Sequence, residues 1–266
     1  MEDTSWLKQT DEPLFPDLLW SKPENKRQAG KLLIAGGNLH SFAAPAAAYA
    51  AAVKAGIGSV KVLLPDSLKS QIGHFQGPAL EIEFGGSTPS GSFARTVLAK
   101  LLEEAERANG VLLAGDFGHN SETAIVLDSF MDKYEGQVTV AGDALDYFLG
   151  SNSRILSRKN TLSVINLGKL QKLVKNNGSS AAVRHSMGLH ELVTFLNQWL
   201  TADKYLITKH QEQHVVAANG QVSSTKAKED NNWQVELAAY VSVWLLQNLQ
   251  KPFEAITTAV CDYLKK

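Results

Sequence analysis

The sequence predicts an α/β domain built on a mostly parallel sheet with helices on both faces, and three observations carry this. The stretch from Lys31 to Pro65, KLLIAGGNLHSFAAPAAAYAAAVKAGIGSVKVLLP, reads as strand, glycine turn, alanine-rich helix, Gly-x-Gly stop and second strand. Short apolar runs alternate with helix-period segments along nearly all of the rest. With 266 residues and 44% hydrophobic content, the chain has enough apolar side chains for one large core.

The elements follow in order. Leu32, Leu33 and Ile34 form a continuous apolar run, as expected of a strand covered on both faces. Gly36 and Gly37 allow a sharp turn and a close backbone approach to a ligand. Residues 38–41 supply short polar groups ahead of a helix, Pro45 fits its first turn, and the run Ala46 to Ala55 combines good helix formers with little bulk. Gly56 and Gly58 stop that helix, and Val60 to Leu64 restart a strand that Pro65 closes. Such a β-α-β crossover is right-handed and implies parallel pairing. Further strands are predicted at 79–84, 111–114, 138–141 and 162–165, with 205–208 and 214–217 pairing as neighbours. Asn219-Gly220 is a turn before 221–223. Helices are predicted over 92–108, from the Asn120-Ser121 cap to 134, 143–149, 168–175, 180–200 (with an interruption at Gly188 as the alternative), 233–249 and 252–264. A short helix and loop spans 65–77, and 85–92 is a loop. No repeat or linker breaks the pattern, so residues 1–266 read as one domain, with the first 20 or so as an arm.

Composition excludes several classes. A net charge of -1 exerts no global pull on nucleic acid or an anionic membrane, so neither is an expected partner. The single cysteine, Cys261, excludes an internal disulfide framework and suits a reducing compartment. No apolar run of about 18 residues could span a bilayer, and the polar N-terminus lacks a leader pattern. A cytoplasmic protein is expected, taking a small-molecule ligand and assembling as a homo-oligomer through its alanine-rich and tryptophan-bearing helices.

Candidate site residues come from the ends of the predicted strands, the usual ligand side of open α/β sheets. Gly36, Gly37 and Asn38 form one such turn, which either faces a ligand or merely needs positive φ. Asp143 either meets substrate or caps the short helix that follows it. Lys209, His210 and His214 lie on strands whose side chains alternate, so they are not expected to converge, and no metal site is predicted. His185 and His190 are read as ordinary helix histidines, and Trp199, Trp233 and Trp244 as core or interface.

The segment KPENKRQAGKLLIAGG followed by APAAAYAAAVKAGIGSVKVLLP resembles the opening of the ribokinase-like ADP- or ATP-dependent NAD(P)H-hydrate dehydratases, also described as carbohydrate kinases. Gly36, Gly37, Ala44, Pro45, Ala47, Ala48, Ala51, Gly56 and Gly58 fall in register with that family. Gly115-Asp116-Phe117-Gly118 is similar to its P-G-L-G turn, and residues 140–145 to its L-D-A-D-A-L. Thr208-Lys209-His210 stands where the family has L-K-G. The resemblance implies a three-layer α/β/α ribokinase-like domain with a mostly parallel central sheet. It implies ATP or ADP with magnesium as cofactor. It places substrate- or nucleotide-binding groups at Gly36, Gly37, Asn38, Pro45, Gly115, Gly118, Asn120, Asp143 and Lys209.

Two departures bear on catalysis. The family's T-P-H-x-G-E falls on residues 164–169, where Asn166 and Lys169 replace its histidine and glutamate. Its G-G-x-G-D, which turns backbone N–H groups toward phosphate and supplies the acid/base aspartate, falls on Asn231-Asn232-Trp233-Gln234-Val235. Trp233 and Gln234 crowd a phosphate, and Val235 transfers no proton. Asp230 and Glu236 are neighbouring carboxylates, but a one-residue slip on a helix turns a side chain by roughly 100°. The expectation is a diverged relative with impaired or absent nucleotide-dependent catalysis. The alternative is an active dehydratase or small-molecule kinase in which Asp230 or Glu236 serves as a relocated base.

Overall fold

The structure is a computed structural model and describes residues 6–72, 77, 79–179, 182–200, 203–227 and 233–265. Its strands are β1 (Trp6–Gln9), β2 (Lys31–Gly36), β3 (Ser59–Pro65), β4 (Leu80–Gly85), β5 (Gly110–Gly115), β6 (Val138–Val140), β7 (Thr161–Val164), β8 (Lys204–His210), β9 (Gln213–Ala218) and β10 (Gln221–Lys226). The helices are α1 (Asp17–Trp20), α2 (Ala43–Ala55), α3 (Lys69–Ile72), α4 (Val97–Glu106), α5 (Ser121–Lys133), α6 (Arg154–Ser157), α7 (Leu167–Asn176), α8 (Leu189–Trp199), α9 (Trp233–Gln247) and α10 (Pro252–Lys265). Tighter 3₁₀ turns occupy Asp66–Leu68 and Gly142–Phe148.

One ten-stranded sheet runs in the order β1-β10-β9-β8-β7-β6-β5-β2-β3-β4. Strands β2 to β8 pair in parallel, β8, β9 and β10 form an antiparallel meander, and β1 pairs in parallel with β10. The chain builds β2, β3 and β4 outward, then returns to lay β5 on the other side of β2. The junction of β2 and β5 is therefore the switch point, where diverging loops leave a crevice at the strand ends. One apolar core packs α2, α9 and α10 on one sheet face, and a second packs α4, α5, α7 and α8 on the other. This is the three-layer α/β/α architecture. No helix among the described residues is long and apolar enough to cross a membrane.

Local chemistry explains the elements. Leu32, Leu33 and Ile34 are fully buried because helices cover both faces of β2. The alanines of α2 let it lie close to α9, which is apolar around its whole circumference and is buried from Leu237 to Leu245. Gly36 admits no side chain, because a Cβ there would collide with the Gly115 carbonyl.

Three differences from the sequence reading have physical causes. Residues 6–9 are an edge strand, and Gln9 is buried with its amide donating to Thr225 Oγ1 and the Thr257 carbonyl, at 2.9 and 2.8 Å. Helix α4 begins at Val97 instead of 92, since Phe93 forms a β-bridge with Ser87. Helix α8 begins at Leu189 because Glu191 turns back to accept from the Gly188 N–H at 2.9 Å. That leaves His185 ahead of the helix, in a turn.

Candidate functional site

The ends of β5 and β6 and the first turns of α2 and α9 enclose a pocket of about 350 Å³. Ala43, Ala44 and Ala47 of α2 form its apolar wall. Gly115 and Gly142 form a floor of bare backbone, at φ +124° and +59°. Asp116 and Asp143 rise from these two turns, and Gln234, Val235 and Glu236 close the far side.

Asp143 is half-buried, and its Oδ1 accepts from the Phe117 N–H at 3.3 Å. Burial pushes this carboxyl above its ordinary value; the Phe117 N–H works against that shift and the neighbouring Asp116 charge adds to it. Asp116 adopts a left-handed φ of 58°, which points its carboxylate back at α2. Its Oδ2 accepts from Ser41 Oγ and the Ala44 N–H, both at 2.8 Å. Asn38 Nδ2 in turn donates to the Asp116 carbonyl at 2.6 Å. On the α9 side, Glu236 Oε2 accepts from the Tyr263 hydroxyl at 3.3 Å. Gln234 Nε2 reaches the Val164 carbonyl at 3.4 Å, and Val235 Cγ2 lies 3.4 Å from where a Gly142 Cβ would stand.

A second, more open cleft of about 580 Å³ lies over the ends of β7 and β8. It is bordered by Asn166 and Gly168 at the start of α7, by Lys209 and His210, and by His185 and Trp233. His210 Nε2 and Gln211 Nε2 both meet the Met187 carbonyl, at 2.7 and 3.1 Å, and so fix the turn that carries His185. Lys169 ties the two sites together: its Nζ donates to the Gly142 carbonyl at 2.8 Å and pairs with Asp146 at 2.9 Å.

The structure sorts the sequence candidates into groups. Gly115, Asp143 and Glu236 border the pocket, and Lys209 borders the open cleft. Gly36, Gly37, Asn38 and Pro45 stand behind the pocket as its frame; Gly37, for example, donates to the Gly115 carbonyl at 3.0 Å. Gly118 and Asn120 lie farther along the β5 loop, where Asn120 caps α5 by accepting from the Glu122 and Thr123 N–H groups. Asp230 lies outside the described residues.

Three geometric expectations are corrected. Asp143 is not the cap of the turn it begins, because that turn has no side-chain cap and Asp143 accepts from Phe117 instead. Glu236 does reach the pocket despite its turn from Val235, because the pocket lies at the end of α9, where successive residues all border it. Lys209 and His210 share one cleft because they end their strand at its rim, whereas His214 is buried with its ring 4.9 Å from Trp233. Sequence reasoning missed Asp116 as a pocket residue; the available signal was a carboxylate directly after a buried apolar strand. No cluster of three or more His, Cys, Asp or Glu suited to a metal ion occurs among the described residues.

Solved structures share this architecture across nearly the whole chain. A ribokinase-like superfamily protein of Enterococcus faecalis V583 superposes with a TM-score of 0.72 at 13% identity, over 100% of this chain and 88% of that one. The chain has the ribokinase-like fold. A Streptococcus mutans protein of undefined function shares this ribokinase-like arrangement at a TM-score of 0.67 and 17% identity, over 94% and 88% of the two chains. The ADP/ATP-dependent NAD(P)H-hydrate dehydratase of Bacillus subtilis, crystallised with ATP and Mg²⁺, gives 0.59 at 11% identity, over 91% and 81%. No protein-family model and no curated protein matches the sequence.

Proposed function

We propose that this ribokinase-like protein binds a small polar molecule in the pocket of Asp116, Asp143 and Glu236, with nucleotide-dependent chemistry impaired or absent. One observation carries the proposal. The first turn of α9 stands between the two cavities, with Trp233 against the open cleft and Gln234 and Val235 against the pocket. Phosphoryl transfer needs donor and acceptor oxygens in line, with donors or cations around the moving group. Here the dividing turn presents an indole, an amide held by Val164 and a valine packed on Gly142. Among the described residues no lysine, arginine or histidine lines the pocket, and its three carboxylates repel a polyphosphate. The described residues therefore do not fit ATP or ADP reaching into this pocket.

The test is thermal melting of the full chain with millimolar ATP or ADP and magnesium. A nucleotide present at 100 times its Kd would add about 2.7 kcal/mol of stability, a shift of several degrees. The expected shift is below about 1 °C, and a larger one overturns the proposal.

A second reading has its own support, because Glu236 lines the same pocket as Asp143. A general base must lie within hydrogen-bond reach of the proton it takes, and Glu236 is positioned toward the cavity by Tyr263. In that reading the protein is an ADP/ATP-dependent NAD(P)H-hydrate dehydratase or a small-molecule kinase with a relocated base. Recovery of NADH from its hydrate, abolished by Glu236→Gln, would establish it.

A further inference from the structure

We infer that the ligand of the pocket is a small organic cation, a hydroxylated amine of amino-sugar or amino-alcohol size. The inference rests on the pocket being the binding site and names the chemistry it recognises. Among the described residues its wall holds the carboxylates of Asp116, Asp143 and Glu236 and no lysine, arginine or histidine. Among the described residues, the donors bonded to these carboxylates are neutral: Ser41 Oγ, the Ala44, Phe117 and Gly118 N–H groups, and the Tyr263 hydroxyl. The lysine tied to the pocket floor, Lys169, spends its ammonium on the Gly142 carbonyl and Asp146. The wall itself thus holds no cation among the described residues, and Lys169, from outside it, acts on Asp143 more weakly than burial, the Phe117 and Gly118 N–H groups or the Asp116 charge.

The rest of the lining says what else the ligand carries. Gly115 puts no side chain beside the Asp143 carboxyl, since a Cβ there would stand 3.1 Å from Asp143 Oδ1, whereas a Cβ on Gly142 would meet the Ala114 carbonyl at 2.7 Å, inside the protein. A ligand can therefore approach the Asp143 carboxyl closely. An ammonium brings three donors and no acceptor, which suits acceptor-only carboxylates. The Gln234 side chain and the open backbone serve hydroxyls, and the alanine wall of α2 accepts a carbon skeleton. A phosphate or carboxylate on the ligand would meet like charge on three sides.

A matched set of probes tests this by calorimetry and thermal melting on the full chain. Glucosamine, galactosamine and ethanolamine carry the ammonium; glucose and N-acetylglucosamine lack the charge; glucose 6-phosphate reverses it. At least one amine is expected to bind about tenfold or more tighter than the uncharged sugars, and to weaken as salt is raised. Glu236→Gln is expected to reduce that affinity about tenfold while the unliganded melting temperature holds. Asp143→Asn provides a second variant should the first fail to fold. Uncharged sugar binding as tightly as the amine would overturn the cation inference and leave the pocket reading standing. Glucose 6-phosphate binding best would overturn both. Failure of every amine to bind at tens of millimolar would overturn the cation inference.

Discussion

Asp143 shows how one side chain carries both the chemistry of the pocket and a liability. Its carboxyl is shifted upward chiefly by burial, so the folded protein holds that proton more tightly than the unfolded chain does. Between the ordinary carboxylate value and the raised one, the folded state binds more protons, and stability falls as pH rises through that window. Asp143→Asn removes the ionisation and keeps an oxygen for the Phe117 N–H. The variant is expected to match the parent at acid pH, below the ordinary carboxylate value, and to be the more stable of the two at neutral pH. Urea unfolding at several pH values measures this, and a neutral-pH loss of stability in the variant would refute it. At this scale the sequence was partly legible. A carboxylate after a predicted strand marked Asp143, but its half-buried state depends on Phe117 and Asp116, which lie 26 and 27 residues back along the chain. Asp116 offered the same signal, a carboxylate directly after an apolar strand, but the φ of 58° that aims it at α2 is set by tertiary contacts.

Helix α2 depends on a residue from another element. Its N-cap, Phe42, offers no side-chain acceptor, and Asp116 supplies one from the β5 loop through the Ala44 N–H at 2.8 Å. A carboxylate here satisfies an orphan donor and lies at the positive end of the helix dipole. Asp116→Ala is expected to lower stability by about 1–2 kcal/mol, as losing a cap does. Asp116→Asn should lose less, because asparagine accepts the same hydrogen bond and tolerates the left-handed φ. Chemical denaturation of both variants checks the ranking, and equal losses would mean that the acceptor is not what matters. The element pattern itself was legible where periodicity and stop signals agree, as at β2, α2, β3 and α10. It failed at helix starts near 92 and 180, where a β-bridge at Phe93 and the Glu191 bond to Gly188 set the boundary. Helix α9 was legible as a helix, but its role as a wall between two cavities was not. That role depends on where its first turn points.

At the scale of the whole molecule, the two ends of the described chain lock each other. Strand β1 pairs with β10 across more than two hundred residues of sequence, in the register Trp6 to Val222 and Gln9 to Thr225. Four residues are too short to show strand periodicity in the sequence, so the segment read as an arm. Gln9 also bonds the Thr257 carbonyl of α10 and accepts from the Leu14 N–H at 3.0 Å, joining the edge strand to the last helix and to the chain leading into α1. Strand β10 is therefore an interior strand only while β1 covers it. Removing residues 1–9 would expose β10 from Val222 to Thr225 as an unpaired edge, a template for pairing with another chain. The truncated protein is expected to melt at a lower temperature and to associate as its concentration rises. Gln9→Ala should give a milder loss of about 1–3 kcal/mol, since it strands the Leu14 N–H and removes the bonds to Thr225 Oγ1 and the Thr257 carbonyl without opening the edge. Light scattering and melting curves across a concentration series separate these effects. Association in the truncation but not in Gln9→Ala assigns the protection to the strand, because only the truncation leaves β10 without a neighbour; an unassociated truncation that melts like the parent would show that β1 adds nothing to the sheet.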